Sequence, residues 1–357
     1  MAMTHQQFRT TRYFAPLDGL RAVSIALVLV AHSGDRTWDA IHGSLGVALF
    51  FVISGFLITT LLLREEDRNG RVSLRAFWIR RAYRILPLYL LALAVFTVAR
   101  LGLGLGEGQD DYVARLVYFV TFTNELAPDG TFGHSWSLGV EEKFYLLWPL
   151  LAFAATAGAR HRGAAVTALV VAALTGWLVD HGSYLALYLP IFLGCGLALV
   201  LHDPRGFAVA RRLASPAVGL SLVAVAIVGV FVFAARGNVQ VGYGLVAVWA
   251  FPAVLLGVPG VTRGLTSRPL VHIGTRSYAI YLFHPLVGEV VDRVLAPDRG
   301  TATATMRLAL LLGGSLVVAE LLHRTVERPL IRRGRTIAAR ATRPSPAPSA
   351  LVPTPEP

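Results

Sequence analysis

The chain has 357 residues, 55% of them hydrophobic and only 15% charged, with a formal net charge of +12. That balance excludes a soluble globule and reads as an all-α polytopic membrane protein: about ten spans of some 20 residues leave no length for a second folded domain. The positive charge argues against a nucleic-acid partner by its distribution, because the arginines fall in segments that alternate with apolar runs.

The polar start, Met1 to Tyr13, has two arginines and no short apolar core followed by a small-residue cleavage site, so no removable signal peptide is expected. The single cysteine, Cys195, lies inside an apolar run and excludes an intrachain disulfide. The first span, 17–33, carries Asp18 and Arg21 one turn apart at its entrance and His32 near its end. Ionisable groups at membrane depth cost several kcal/mol each on insertion scales, so they face a protein or water interior. Asp18 and Arg21 read first as an ion pair at the headgroup boundary. His32 reads differently, since fifteen residues beyond Leu17 place it about 22 Å along a helix, inside a 30 Å core.

The second span, 45–63, contains Ser54 and Gly55, small residues whose common role in membranes is close helix packing. The segment 64–84 then carries Arg64, Arg68, Arg71, Arg75, Arg80, Arg81 and Arg84, with Trp78 and Tyr83 among them. Arginines in an inner loop of this kind serve topology and anionic lipid. Arg81 and Arg84, one turn apart at the mouth of the third span, 85–103, also suit bidentate capture of phosphates.

Residues 112–123 are apolar but too short to cross, which predicts a re-entrant or interfacial helix. The fourth span, 138–157, brings Glu141, Glu142 and Lys143 about a turn inside the opposite edge. Further spans follow at 164–180, 184–201, 215–235, 240–258, 270–287 and 305–322. In the ninth, Tyr278, Tyr281 and His284 recur at three-residue spacing and share a face ahead of Pro285. The membrane unit is drawn as 1–335. The remainder, 336–357, with six prolines among the last fourteen residues, is expected to be a disordered tail. With both ends in the cytoplasm, 24 arginines fall on the inner side and 7 on the outer, which sets ten spans in that orientation.

By helical rise, His32, His284 and Glu141 fall in one layer of the bilayer on three different spans, which predicts a shared polar cavity. A histidine beside a carboxylate moves protons near neutral pH, as a general base or along a transport relay. As a metal set, two histidines and one carboxylate without local spacing are thin, and no metal is expected.

Six ordered motifs resemble the acyltransferase 3 family of bacterial membrane acyltransferases across residues 12–332. They are Leu17-Asp-Gly-Leu-Arg21 with His32; Gly46-Val with Phe50-Phe-Val-Ile-Ser-Gly-Phe-Leu-Ile58; Arg80-Arg-Ala-Tyr-Arg84-Ile-Leu-Pro87; His134-Ser-Trp-Ser-Leu138 with Glu141-Glu-Lys-Phe-Tyr145; Ser277-Tyr278 with Tyr281-Leu-Phe-His-Pro285; and Glu327-Arg-Pro329. The resemblance implies transfer of an acyl group, usually acetyl, from acyl-CoA to a hydroxyl of a cell-envelope glycan or of a secondary metabolite such as a macrolide, in the bacterial cytoplasmic membrane. It implies no permanently bound cofactor, with acyl-CoA as donor substrate. It gives His32 and Glu141 the catalytic roles, and Arg81 and Arg84, with Arg80, the donor phosphates. Trp136, Ser137, Tyr278, Tyr281 and His284 become candidates for substrate binding. Lys143 departs from the family, where Gln is common, and no esterase-like domain like that of many relatives is appended. The expected mechanism has His32 deprotonate the acceptor while Glu141 orients its imidazole; an acyl-histidine intermediate is a variant of it. A proton-coupled transporter, with His32, Glu141 and His284 as its relay, is the rival reading.

Overall fold

The computed structural model describes residues 3–11, 13–33, 43–104, 109–126, 129–155, 158–235, 239–256, 259–295 and 301–342. Arg36, Arg236 and Arg299, three of the seven arginines assigned to the outer side, and the tail from Arg343 onward lie outside them. Among the described residues the regular structure is entirely helical. In chain order the helices are α1 (His5–Thr10), α2 (Ala15–Ala31), α3 (Gly43–Asn69), α4 (Leu74–Thr97) and α5 (Gln109–Val120). They continue with α6 (Trp136–Pro149), α7 (Ala159–Val179), α8 (Leu189–His202), α9 (Pro204–Leu213) and α10 (Pro216–Ala235). The last five are α11 (Val239–Leu256), α12 (Pro259–Leu265), α13 (Arg268–Val294), α14 (Thr301–Leu322) and α15 (Arg328–Ala341).

A helix covers each of the ten expected segments. Five are long and apolar enough to cross a membrane, namely Gly43–Asn69, Leu74–Gly102, Arg160–Val179, Tyr184–His202 and Ala302–Ala341. A sixth is added if the bent pair Pro204–Leu213 and Val218–Gly229 counts as one span. The reason α2 and α6 fall outside this set is physical: α2 has 17 residues and holds Asp18 and Arg21, while α6 has 14 and holds Glu141, Glu142 and Lys143. The groups that build the polar interior are those that dilute its helices.

Two boundaries differ from expectation. The arginine-rich segment 64–84 is not a loop: α3 runs to Asn69 and α4 begins at Leu74, capped by Ser73, whose hydroxyl accepts from the Ala76 N–H. Arginine and glutamate propagate helix well, and Arg80 pairs with Glu65 across the junction at 2.8 Å. The expected start of the tail at 336 falls inside α15, which continues α14 through a π-turn at His323–Glu327 to Ala341. The short α5 overlaps the expected 112–123 helix; it buries Tyr112 and Phe119 and exposes Val113, Val117 and Val120.

The packing centre is α2 with α3 and α13, flanked by α8 against α3 and α14 against α13. Glycine sets the closest approaches. A Cβ on Gly274 would overlap the Asp18 carbonyl oxygen, and one on Gly55 the Ile191 carbonyl oxygen, so α13–α2 and α3–α8 pack backbone to backbone. Outward faces are apolar, with Val225, Ile227, Val228, Val317 and Leu321 all more than half exposed, as suits lipid contact. At one end, α1 folds back against α3. Phe8 is buried, and the Arg64 guanidinium, itself 6% exposed, donates to the Phe8 and Thr11 carbonyls and stacks 4.7 Å from the Phe14 ring centre.

Candidate active site

Helices α2, α3, α4, α6 and α13 line an open cavity. Three guanidinium groups reach it: Arg21 from α2, and Arg81 and Arg84 from α4. Arg21 is steered by Asp18, one turn earlier, at 3.2 Å. Asp18 is 5% exposed and also accepts the Tyr13 hydroxyl at 2.6 Å. Packing around the Tyr13 phenol and its bond to that carboxylate push its pKa up to about 12, so the phenol stays a donor. Arg81 lies 5.7 Å from the ring centres of both Phe77 and Tyr145, and its buried Nε has no hydrogen-bond partner among the described residues. Like charges gathered this closely favour an anionic guest. Arg80 is absent from the cavity lining, its charge spent on Glu65.

The opposite wall is α6. Glu141 accepts the Ser54 hydroxyl at 2.5 Å, and the same hydroxyl lies 3.1 Å from the Tyr145 hydroxyl. Glu142, one residue on, also lines the cavity. Lys143 turns the other way: its ammonium bonds the Phe122 carbonyl at 2.5 Å and pairs with Glu125, whose side chain is 1% exposed. The departure from glutamine at this position therefore puts no ammonium beside Glu141. Phe122, the one non-glycine residue with positive φ (56°) among the described residues, aims its carbonyl at that ammonium.

From α13 come Tyr278, which donates to the Ile85 carbonyl at 2.9 Å, and Tyr281. Tyr281 donates to the His134 carbonyl and lies 2.7 Å from the Ser137 hydroxyl. Behind Tyr281, outside the cavity lining, three imidazoles stand together. The His284 ring centre is 4.9 Å from that of His32 and 5.4 Å from that of His134, both edge to face. His32, at the C-terminal end of α2, is exposed, and its Nδ1 donates to the Val28 carbonyl at 2.8 Å. His284 is 1% exposed and its Nδ1 donates to the Tyr281 carbonyl at 2.8 Å. Trp136 packs edge to face on Phe51, 6.1 Å between centres.

The expected site residues thus divide in two. Arg81, Arg84, Ser137, Glu141, Tyr278 and Tyr281 share the cavity. His32 and His284 form an adjoining cluster that meets it at Tyr281. Glu141 bonds Ser54 where the sequence reading paired it with His32, and the partners of His32 are a backbone carbonyl and a second imidazole. Sequence reasoning gave Arg21 and Ser54 to structure alone and passed over Tyr145 and His134. A polar side chain on an otherwise apolar span was the signal for Ser54, and the Glu141–Tyr145 spacing of four, one helical turn, was the signal for Tyr145.

The profile of the acyltransferase 3 family, described as an acyltransferase domain, matches residues 14–324. The chain belongs to the acyltransferase 3 family. This acyltransferase-family chain is 27% identical over 374 residues to the peptidoglycan O-acetyltransferase OatA of Listeria monocytogenes, covering 91% of this chain and 58% of that protein. To the O-acetyltransferase OatA of Staphylococcus aureus it is 27% identical over 370 residues, 92% of this chain and 59% of the relative. A putative O-acetyltransferase of S. aureus strain COL is 36% identical over 157 residues, 41% of this chain and 26% of the other. The chain therefore spans less than three fifths of the length of these relatives. No solved structure matches it.

Proposed function

We propose that the protein is a membrane O-acyltransferase that moves an acetyl group from acetyl-CoA to a hydroxyl of a cell-envelope glycan. All ten long helical segments cross the bacterial cytoplasmic membrane, and both ends face the cytoplasm. The observation that carries this reading is the convergence of Arg21, Arg81 and Arg84 on one cavity whose far end abuts a cluster of histidines. Three arginines match the diphosphate of coenzyme A in charge and in bidentate geometry. Arg21 and His32 are eleven residues apart on α2, roughly 16 Å by helical rise. A pantetheine arm, as long as about four extended residues or roughly 14 Å, covers most of such a gap.

In the proposed reaction the acceptor oxygen attacks the thioester carbonyl while His32 Nε2 takes the hydroxyl proton. The C–S bond then breaks, the thiolate leaves and recovers that proton, and the products are the O-acyl glycan and free coenzyme A. Glu141, hydrogen-bonded to Ser54 and facing the arginines, keeps the donor end of the cavity from being uniformly positive. Likeness to the peptidoglycan O-acetyltransferase OatA of Listeria monocytogenes favours a glycan over a macrolide as acceptor.

The test is the purified protein in lipid nanodiscs with radiolabelled acetyl-CoA and soluble peptidoglycan fragments. Label in the glycan together with stoichiometric free thiol supports the reading. Label that crosses sealed vesicles unchanged, without thiol release, replaces it with transport.

A further inference from the structure

Helix α15 carries charge of one sign only. It holds Arg328, Arg332, Arg333, Arg335 and Arg340 and no acidic residue, and all five arginines are exposed. Elsewhere the fold pairs its cations: Arg9 with Asp67, Arg80 with Glu65 and Arg162 with Glu66. The helix that α15 packs along, α4, has no acidic residue to offer it. Glu327, in the turn before α15, is 1% exposed at its side chain and pairs with His323. Among the described residues none of the five α15 arginines has an ion-pair partner. Like charges one turn apart, such as Arg328 and Arg332, weaken a helix, so packing on α4 maintains a surface that disfavours itself.

Rise per residue carries this surface past the lipid. Ala302–Ala341 runs as one helix of 40 residues, about 60 Å long and twice the hydrocarbon core. Beyond Leu322, where the tenth expected span ends, the headgroup layer takes roughly another 5–8 Å, or about five residues. α15 starts at Arg328, where water begins. Gly334 sets its place beside the cavity: a Cβ there would overlap that of Tyr83, so the two helices touch at this point. In sequence Tyr83 lies between Arg81 and Arg84, both of which line the cavity. Arg332, Arg333 and Arg335 are within two residues of Gly334, about 3 Å along the axis, and packed helix axes lie about 8–10 Å apart.

Coenzyme A has a group to match. Besides its diphosphate it carries a phosphate on the ribose 3′ oxygen. With the diphosphate on Arg21, Arg81 and Arg84 and the thioester toward His32, the nucleoside end emerges at the water-facing end of α4. Resting on that donor reading, we propose that Arg332, Arg333 and Arg335 bind the 3′-phosphate of coenzyme A and select the full donor over its 3′-dephospho form. Guanidinium groups hold a phosphate dianion through paired, charge-assisted hydrogen bonds. No covalent bond changes there; the contact sets donor affinity and leaves the transfer to the cavity.

The test is equilibrium binding of coenzyme A and of 3′-dephospho-coenzyme A to the full chain in phosphatidylcholine nanodiscs, read by calorimetry. Wild type should bind coenzyme A about 10- to 150-fold more tightly, the worth of a hydrogen bond to a charged group. The triple variant Arg332→Gln, Arg333→Gln, Arg335→Gln keeps good helix formers and should bring that ratio within threefold, with the Kd of the dephospho form little changed. Arg340→Gln, six residues from Gly334, should keep the wild-type ratio. Equal affinities in the wild type overturn the proposal without any variant, and so does a triple variant that keeps the ratio. A loss in Arg340→Gln as large as in the triple variant overturns it in favour of a diffuse field. Phosphatidylglycerol in the disc should leave the ratio in place; its loss there gives the arginines to lipid headgroups and overturns the proposal too. A wild type that binds neither nucleotide refutes the donor reading itself, whereas binding of both without preference leaves that reading standing.

Discussion

Arg21→Met removes one of three charges from the cavity while keeping most of the side chain's volume. Arg21 reaches the cavity from α2, opposite the α4 pair, and its own ion partner is Asp18 at 3.2 Å. A hydrogen bond from a guanidinium to a phosphate is worth about 1.5–3 kcal/mol. At 1.4 kcal/mol per tenfold, the donor KM should rise about 10- to 150-fold, with kcat within a factor of about three of wild type. The free protein should lose much less stability than its donor complex. Asp18 keeps the Tyr13 hydroxyl as a partner, and relief of repulsion with Arg81 and Arg84 offsets part of the lost ion pair. Initial rates against acetyl-CoA in nanodiscs, with thermal midpoints taken with and without coenzyme A, measure both quantities. A donor KM that stays within threefold while kcat collapses would show that Arg21 serves the chemistry and not the donor, and the phosphate assignment would fall.

Three further changes probe neighbouring contacts. Ser54→Ala deprives Glu141 of its 2.5 Å donor and should lower kcat about tenfold with normal membrane insertion, the loss of roughly one hydrogen bond; unchanged turnover would make the contact incidental. Gly55→Ala drives a methyl group onto the Ile191 carbonyl and should destabilise the α3–α8 contact by about 1–3 kcal/mol, read from the thermal midpoint in detergent. Equal stability would mean the two helices can separate freely. Lys143→Gln leaves Glu125, 1% exposed at its side chain, without its cation and should cost about 3–5 kcal/mol of stability with donor KM unaltered. A large KM shift in that variant would instead tie the ammonium to the cavity.

Much of this architecture is legible in the sequence because a bilayer leaves few options: apolar runs of the right length become helices, and all ten runs did. The depth of polar groups was legible for the same reason, since rise per residue converts position into height, and His32 and His284 do meet. Azimuth was not. Height places Glu141 level with His32, but which way α6 turns depends on packing against α3, and that rotation gives the carboxylate to Ser54. Pair spacing misled in a related way. Asp18 and Arg21 suggest a closed surface pair, yet Asp18 uses its second oxygen on Tyr13 and leaves Arg21 donors free for the cavity. The basic segment 64–84 looked like loop because charge dominates its composition; Glu65 and Glu66 among the arginines, pairing with Arg80 and Arg162, were the readable clue that it stays helical.

The fold-back of α1 has a consequence for how the polypeptide is made. His5 bonds the His202 carbonyl at 2.9 Å and Phe8 packs against Phe207, so α1 waits for nearly two hundred more residues before its seat exists. During that interval Arg64 has no carbonyls to receive it and remains a cation looking for water beside an already inserted span. Membrane insertion should therefore proceed through a stage in which the amino terminus is still open to protease, closing only when α8 and α9 arrive. A bulky fusion placed directly against His5 would hold that latch open.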